Sequence, residues 1–127
     1  MILVFGGAYN GKLEFVKEKF NIEDEEIFNI NNSLEIDFSK KVIRNFHKFT
    51  YNISLSDENI LSYLENNINL FEDKIIISDD ISEGIVPLKK EERIWREANG
   101  KALQYIAKNS NKVYRIFCGI PTVIKDE

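Results

Sequence analysis

The sequence holds one cysteine, one histidine and no apolar run longer than about five residues. A lone Cys118 excludes an internal disulfide and suits a reducing cytosol. It is expected as a small buried hydrophobe in a strand. No two cysteines or two histidines exist to make a metal-binding spacing, which excludes a structural zinc site. Apolar runs this short are too brief to cross a bilayer. Positive charge is also scarce: 17 Lys and Arg face 21 Asp and Glu, for a net charge of -4. That balance leaves no electrostatic footprint for nucleic acid or an anionic membrane. No basic leader precedes the strand-like "MILVF", so no signal peptide is expected and the cytoplasm is the expected location. No repeat, low-complexity tract or Gly/Ser linker appears, which predicts a single domain over residues 1–127. Hydrophobic residues make up 43% and charged residues 30%, a composition that argues against disorder.

What is present is an alternation of strand and helix patterns. Residues 2–5 read as a buried strand, and 11–20 as a helix with Leu13, Val16 and Phe20 on one face. Residues 26–30 read as a second strand. The steps from Phe38 to Val42, Phe46 and Phe49 predict a helix over 37–48, and 49–55 alternate as a strand does. Ser56 is the expected N-cap of a helix whose face holds Ile60, Leu61, Leu64 and Ile68. Residues 74–78 form another apolar strand. The longest helix spans 89–109, with Ile94, Trp95, Ala98, Ala102, Tyr105 and Ile106 inward. A strand at 113–118 closes the chain, ended by Gly119 and Pro121. This order predicts an α/β domain, with a mostly parallel sheet between helices on both faces. In such sheets ligands bind beyond the carboxyl ends of the strands.

At one such end stands "GGAYNGKL", residues 6–13, in which Gly6, Gly11 and Lys12 meet the pattern G-x-x-x-x-G-K between a strand and a helix. Glycines let successive N–H groups turn toward phosphate oxygens, and the helix N-terminus and Lys12 add positive charge. Gly6, Gly7, Ala8, Tyr9, Asn10, Gly11, Lys12 and Leu13 are therefore the candidate nucleotide-binding residues. The competing reading is a glycine-rich turn beside a surface lysine. Leu13 occupies the place of the hydroxyl that usually holds Mg²⁺, and a leucine cannot coordinate a hard cation. The strand "IIISDD" ends in Asp79 and Asp80, placing Asp80 as a metal-directed acid or, alternatively, as a turn aspartate.

Four stretches, in order, resemble the bifunctional adenosylcobinamide kinase / adenosylcobinamide-phosphate guanylyltransferase family of cobalamin biosynthesis. "ILVFGGAYNGKL" is similar to its "ILVTGGARSGKS", and "SDDISEGIVP" to its S-N-E-V-G-x-G-I-V-P. Arg93, Trp95, Arg96, Glu97, Gly100, Leu103, Gln104 and Ala107 follow its R-x-F-R-D-x-x-G-x-x-N-Q-x-x-A, and Gly119-Ile120-Pro121 its G-[IL]-P. The resemblance implies a three-layer P-loop-type domain that uses GTP or ATP with Mg²⁺. It implies phosphorylation of a corrinoid hydroxyl, followed by transfer of GMP through a guanylylated histidine. His47, in "VIRNFHK", is similar to the histidine of the family's R-I-x-x-H-[KR] helix and is the candidate nucleophile. Read from the residues alone, it is a surface helix histidine. The resemblance also implies a homotrimer, with Tyr9, Phe46, Phe49 and Tyr51 expected as exposed aromatic contacts between copies.

The departures from the family are specific. Leu13 replaces the Mg²⁺-binding hydroxyl, Asp80 a glutamate, Ser82 a glycine and Leu103 an asparagine. The family strand "LVDCLTLW" has no counterpart. These losses point to a shortened, divergent member in which guanylyl transfer through His47 is favoured over kinase activity. The alternatives are a catalytically degenerate nucleotide-sensing or partner-binding protein and, more weakly, an unrelated small nucleotide kinase.

Overall fold

The computed structural model describes residues 1–81 and 89–127. Among these, six strands form one sheet: β1 (Ile2–Gly6), β2 (Ile27–Asn29), β3 (Val42–Arg44), β4 (Ile75–Asp79), β5 (Lys112–Phe117) and β6 (Ile120–Asp126). Their order is β2-β3-β4-β1-β5-β6. The first five run parallel and β6 pairs antiparallel with β5. Four α-helices, α1 (Lys12–Phe20), α2 (Phe46–Ser54), α3 (Ile60–Phe71) and α4 (Lys90–Asn109), and a short 3-10 turn at Asp24–Glu26 accompany the sheet among the described residues.

Strand side chains alternate between the two faces, so an apolar strand such as β1 feeds two cores. Leu3, Ile43 and Ile76 join Phe46, Phe49, Leu64, Phe71, Ala102 and Ile106 on the face covered by α2, α3 and α4. Val4, Val42, Ile75, Ile77 and Ile116 join Val16 of α1 on the other. This is the expected α/β architecture, in three layers. β1, β4 and β5 lie inside the sheet, as their apolar character predicts. No helix among the described residues is long and apolar enough to cross a membrane.

The middle of the chain departs from its pattern. Where a helix is expected over 37–48, Val42–Arg44 is a strand, and where a strand is expected over 49–55, α2 runs from Phe46 to Ser54. Asn45, in the left-handed conformation, separates them. The cap of α3 is Asn59, whose side chain accepts the Ser62 N–H at 3.1 Å. Ser56 instead lies just past the C-cap of α2, its hydroxyl donating to the Ile53 carbonyl. Ile94 is exposed rather than inward. The chain does not close at residue 118: Cys118, with φ +50°, is an exposed turn residue leading into β6. Phe46 and Phe49, expected as surface contacts, are fully buried, whereas Tyr9 is fully exposed and Tyr51 partly so. "EGIVP", with Ser82, lies outside the described residues.

Candidate functional site

β1 delivers the chain to the glycine loop, and two glycines there are required by geometry. A Cβ on Gly6 would lie 2.3 Å from the Ile116 carbonyl oxygen of β5, so only glycine fits. Gly11 caps α1 at φ +84°, a left-handed conformation that costs glycine nothing. Between them Tyr9 also takes a positive φ, of 60°. The loop tip leans on the β5–β6 turn, where the Gly119 N–H donates to the Asn10 carbonyl at 2.8 Å.

Lys12, the first residue of α1, is buried and turned back under the loop. Its Nζ donates to the Gly7 carbonyl at 2.7 Å and pairs with Asp79 Oδ1 at 2.8 Å. Sheet register makes this meeting possible, because Gly6 on β1 lies directly beside Asp79 on β4. Asp80 follows, and its N–H donates to the Gly6 carbonyl at 2.8 Å. Of the two aspartates, Asp79 is therefore the one whose carboxylate meets Lys12. Leu13 is half-buried and packs against the core beneath α1.

His47 comes from the first turn of α2 and is buried, unlike the surface histidine that its local sequence predicts. Its Nδ1 accepts the Asp79 backbone N–H at 3.0 Å, while Nε2 lies 3.4 Å from Asp79 Oδ2. A ring nitrogen that accepts an N–H carries no proton itself, so the neutral ring holds its hydrogen on Nε2. Burial pushes the imidazole below its ordinary pKa. The Asp79 carboxylate opposes that shift, and Lys12, Lys48 and Arg44 add to it. His47 is thus a neutral ring facing a carboxylate.

Two cavities meet at this pair. The first, of about 560 Å³, is lined by loop residues Ala8 to Glu14 together with Arg44, Asn45, His47, Lys48 and Ile77 to Asp79. Three cations, Lys12, Arg44 and Lys48, face it beside the N-termini of α1 and α2, an arrangement suited to a polyanion. The second, of about 640 Å³, shares His47, Lys48 and Asp79 and is otherwise bounded by residues such as Asn31, Tyr51, Asn52 and Trp95. All eight loop residues except Gly6 and Gly7 line the first cavity. Sequence reasoning missed Arg44 and Lys48. Their signal was their position three before and one after His47. No group of three His, Cys, Asp or Glu capable of holding a metal occurs among the described residues. A divalent cation would have to draw most of its ligands from phosphate oxygens and water.

A family model described as cobinamide kinase / cobinamide phosphate guanyltransferase matches residues 50–124, more than half of the chain. The match runs from within α2 to within β6; the glycine loop and His47 precede it. No curated protein matches the chain.

Proposed function

This chain belongs to the cobinamide kinase / cobinamide phosphate guanyltransferase family, and on that premise we propose that it binds GTP or ATP with the phosphates on the loop amides of Gly7 to Lys12. The observation that carries the reading is the convergence of Lys12, Asp79 and His47 at the inner end of a cationic cavity. Lys12 would exchange Asp79 and the Gly7 carbonyl for phosphate oxygens. Asp79, which lines the cavity, and Asp80, the next residue, would be the carboxylates to help hold Mg²⁺, and the ion would offset phosphate charge.

Guanylyl transfer through His47 is the favoured chemistry. A ring nitrogen would bond to the α-phosphorus as the bond to the β-phosphate oxygen breaks and pyrophosphate leaves. The ring's one lone pair is on Nδ1, so the hydrogen bond from the Asp79 N–H must open first. Nε2–H would stay against the Asp79 carboxylate, which offsets the positive charge developing on the ring. A corrinoid phosphate entering from the second cavity would then take the GMP and release the histidine. Kinase turnover is disfavoured, because it relies on a metal-organised γ-phosphate that Leu13 cannot support.

The engaged Nδ1 and the missing hydroxyl at Leu13 favour a second reading, a nucleotide-sensing protein without turnover. Mass spectrometry after incubation with GTP and Mg²⁺ separates the two. A GMP adduct on His47, absent from His47→Ala, supports transfer. Calorimetric binding without an adduct supports sensing, and no binding even at high GTP concentration rejects both.

A further inference from the structure

Where α2 packs on α4, a cluster of hydrogen-bonded polar groups lies directly behind His47. Trp95 Nε1 donates to the His47 carbonyl at 2.8 Å and lies 3.2 Å from Thr50 Oγ1. The Thr50 hydroxyl is fully buried, 2.8 Å from the same carbonyl and 2.7 Å from the Asn99 side-chain amide. Asn99 is itself buried, with 1% of its surface exposed. A threonine bonding to a carbonyl three residues earlier is ordinary helix behaviour. Trp95 and Asn99 are different. They reach across from α4, 48 and 49 positions away from the groups that they bind.

Burying an indole N–H, a hydroxyl and an amide between two helices costs free energy unless every group is satisfied. An apolar pair of helices would avoid that cost altogether. Here the indole N–H and the hydroxyl meet at the backbone carbonyl of one residue, and Asn99 holds the hydroxyl. The side chain of that residue is the wall shared by the two cavities. The Trp95 ring also makes an edge contact with Tyr51, centroids 5.1 Å apart.

We infer that Trp95, Thr50 and Asn99 are positioning residues. They clamp the backbone of His47, so that the ring is held with Nδ1 on the Asp79 N–H and Nε2 toward the Asp79 carboxylate. The inference extends the proposed function by naming what orients its central residue, but its test does not depend on any reaction.

His47 is the only histidine in the chain, so its ring nitrogens give unambiguous NMR signals. In ¹⁵N-labelled protein, at a pH where the ring is neutral, the wild type should show a single tautomer with the proton on Nε2. Trp95→Phe keeps the ring packing and removes the donor. Thr50→Val keeps the shape and removes the hydroxyl, and Thr50→Ser restores it. Folded Trp95→Phe or Thr50→Val protein should show a tautomer mixture, and Thr50→Ser should return the single form. If the guanylyl transfer reading also holds, adduct formation should slow about ten- to a hundredfold in the first two variants, the scale set by small misplacements of a reacting group. Variants that lose only melting temperature and keep the wild-type tautomer would overturn the inference and leave a merely structural clasp. A wild type with mixed tautomers, or with the proton on Nδ1, would overturn it without any variant. Loss of adduct with no change in tautomer would count against the clamp, whereas a tautomer change in a protein that never forms an adduct would uphold it and reject the transfer reading.

Discussion

Lys12 Nζ stands 2.8 Å from Asp79 Oδ1, so the loop's cation is already paired before an anion enters the cavity. An incoming phosphate must compete with a carboxylate for the same ammonium. Asp79→Asn, which installs the residue that the family pattern S-N-E-V-G carries there, removes the competitor and the negative charge. Affinity for GTP should rise severalfold in calorimetry without added Mg²⁺. Lys12→Ala should lower it by about ten- to a hundredfold, the loss of a charged hydrogen bond. A drop in affinity for Asp79→Asn would show instead that the carboxylate helps to hold the ligand.

Leu13→Ser restores the missing hydroxyl at the residue after Lys12. Leu13 is half-buried against Val16 and its neighbours, so truncation should cost about 1–2 kcal/mol, less than for a fully enclosed leucine. Nucleotide binding should gain a measurable Mg²⁺ dependence, while kinase turnover stays absent. Paired melting and binding measurements with and without Mg²⁺ check both. Unchanged stability with no Mg²⁺ dependence would place the defect elsewhere than at residue 13.

The buried imidazole of His47 makes folding pH-dependent with a definite sign. Its pKa in the fold is lower than the ordinary 6.5, so below that value the unfolded chain takes up a proton that the folded chain resists. Stability from this source is full above pH 6.5 and falls as the pH drops from there through the lowered value. His47→Asn keeps an acceptor for the Asp79 N–H and cannot ionise. Its melting temperature should therefore fall less steeply with acid than that of the wild type over the same window. Parallel slopes would show that His47 contributes nothing to acid sensitivity.

Phe46 and Tyr9 should behave oppositely when truncated. Phe46 is fully enclosed, with its ring beside those of Phe49 and Phe71, and Phe46→Ala should cost about 3–5 kcal/mol. Tyr9 is fully exposed at the loop tip, and Tyr9→Ala should leave urea denaturation unchanged within error. A stable Phe46→Ala protein would contradict the described core.

The ends of the chain's pattern were easier to read than its middle. β1, α1, β4 and α4 declare themselves because each has a continuous apolar run or a long helical stripe. Residues 37–55 do not. Phe38 packs on Phe71 from a loop, and Val42 and Phe46 belong to a strand and to a helix, yet their spacing of four imitates one helical face. The break is a single left-handed Asn45, which propensity alone does not announce. β6 was missed because Gly119 and Pro121 read as a stop rather than as a hairpin. The glycine loop was legible because its conformation is local. The burial of His47 was not, since its partners come from β4 and α4, dozens of residues away.

Gly6 is level with Asp79 on one side and with Ile116 on the other. The separation between loop and acid is therefore inherited from the backbone ladder and owes little to the groups at the tip. A one-residue slip of β4 would carry Asp79 about 3.3 Å along the sheet and turn it to the opposite face. No exchange of side chains at position 13 or 80 moves that ruler. Reactive groups can thus be swapped one at a time, by a lineage or by an experimenter, on a frame that keeps its measurements. A descendant that has lost a step of the chemistry still inherits a socket of the same dimensions, ready for a different occupant.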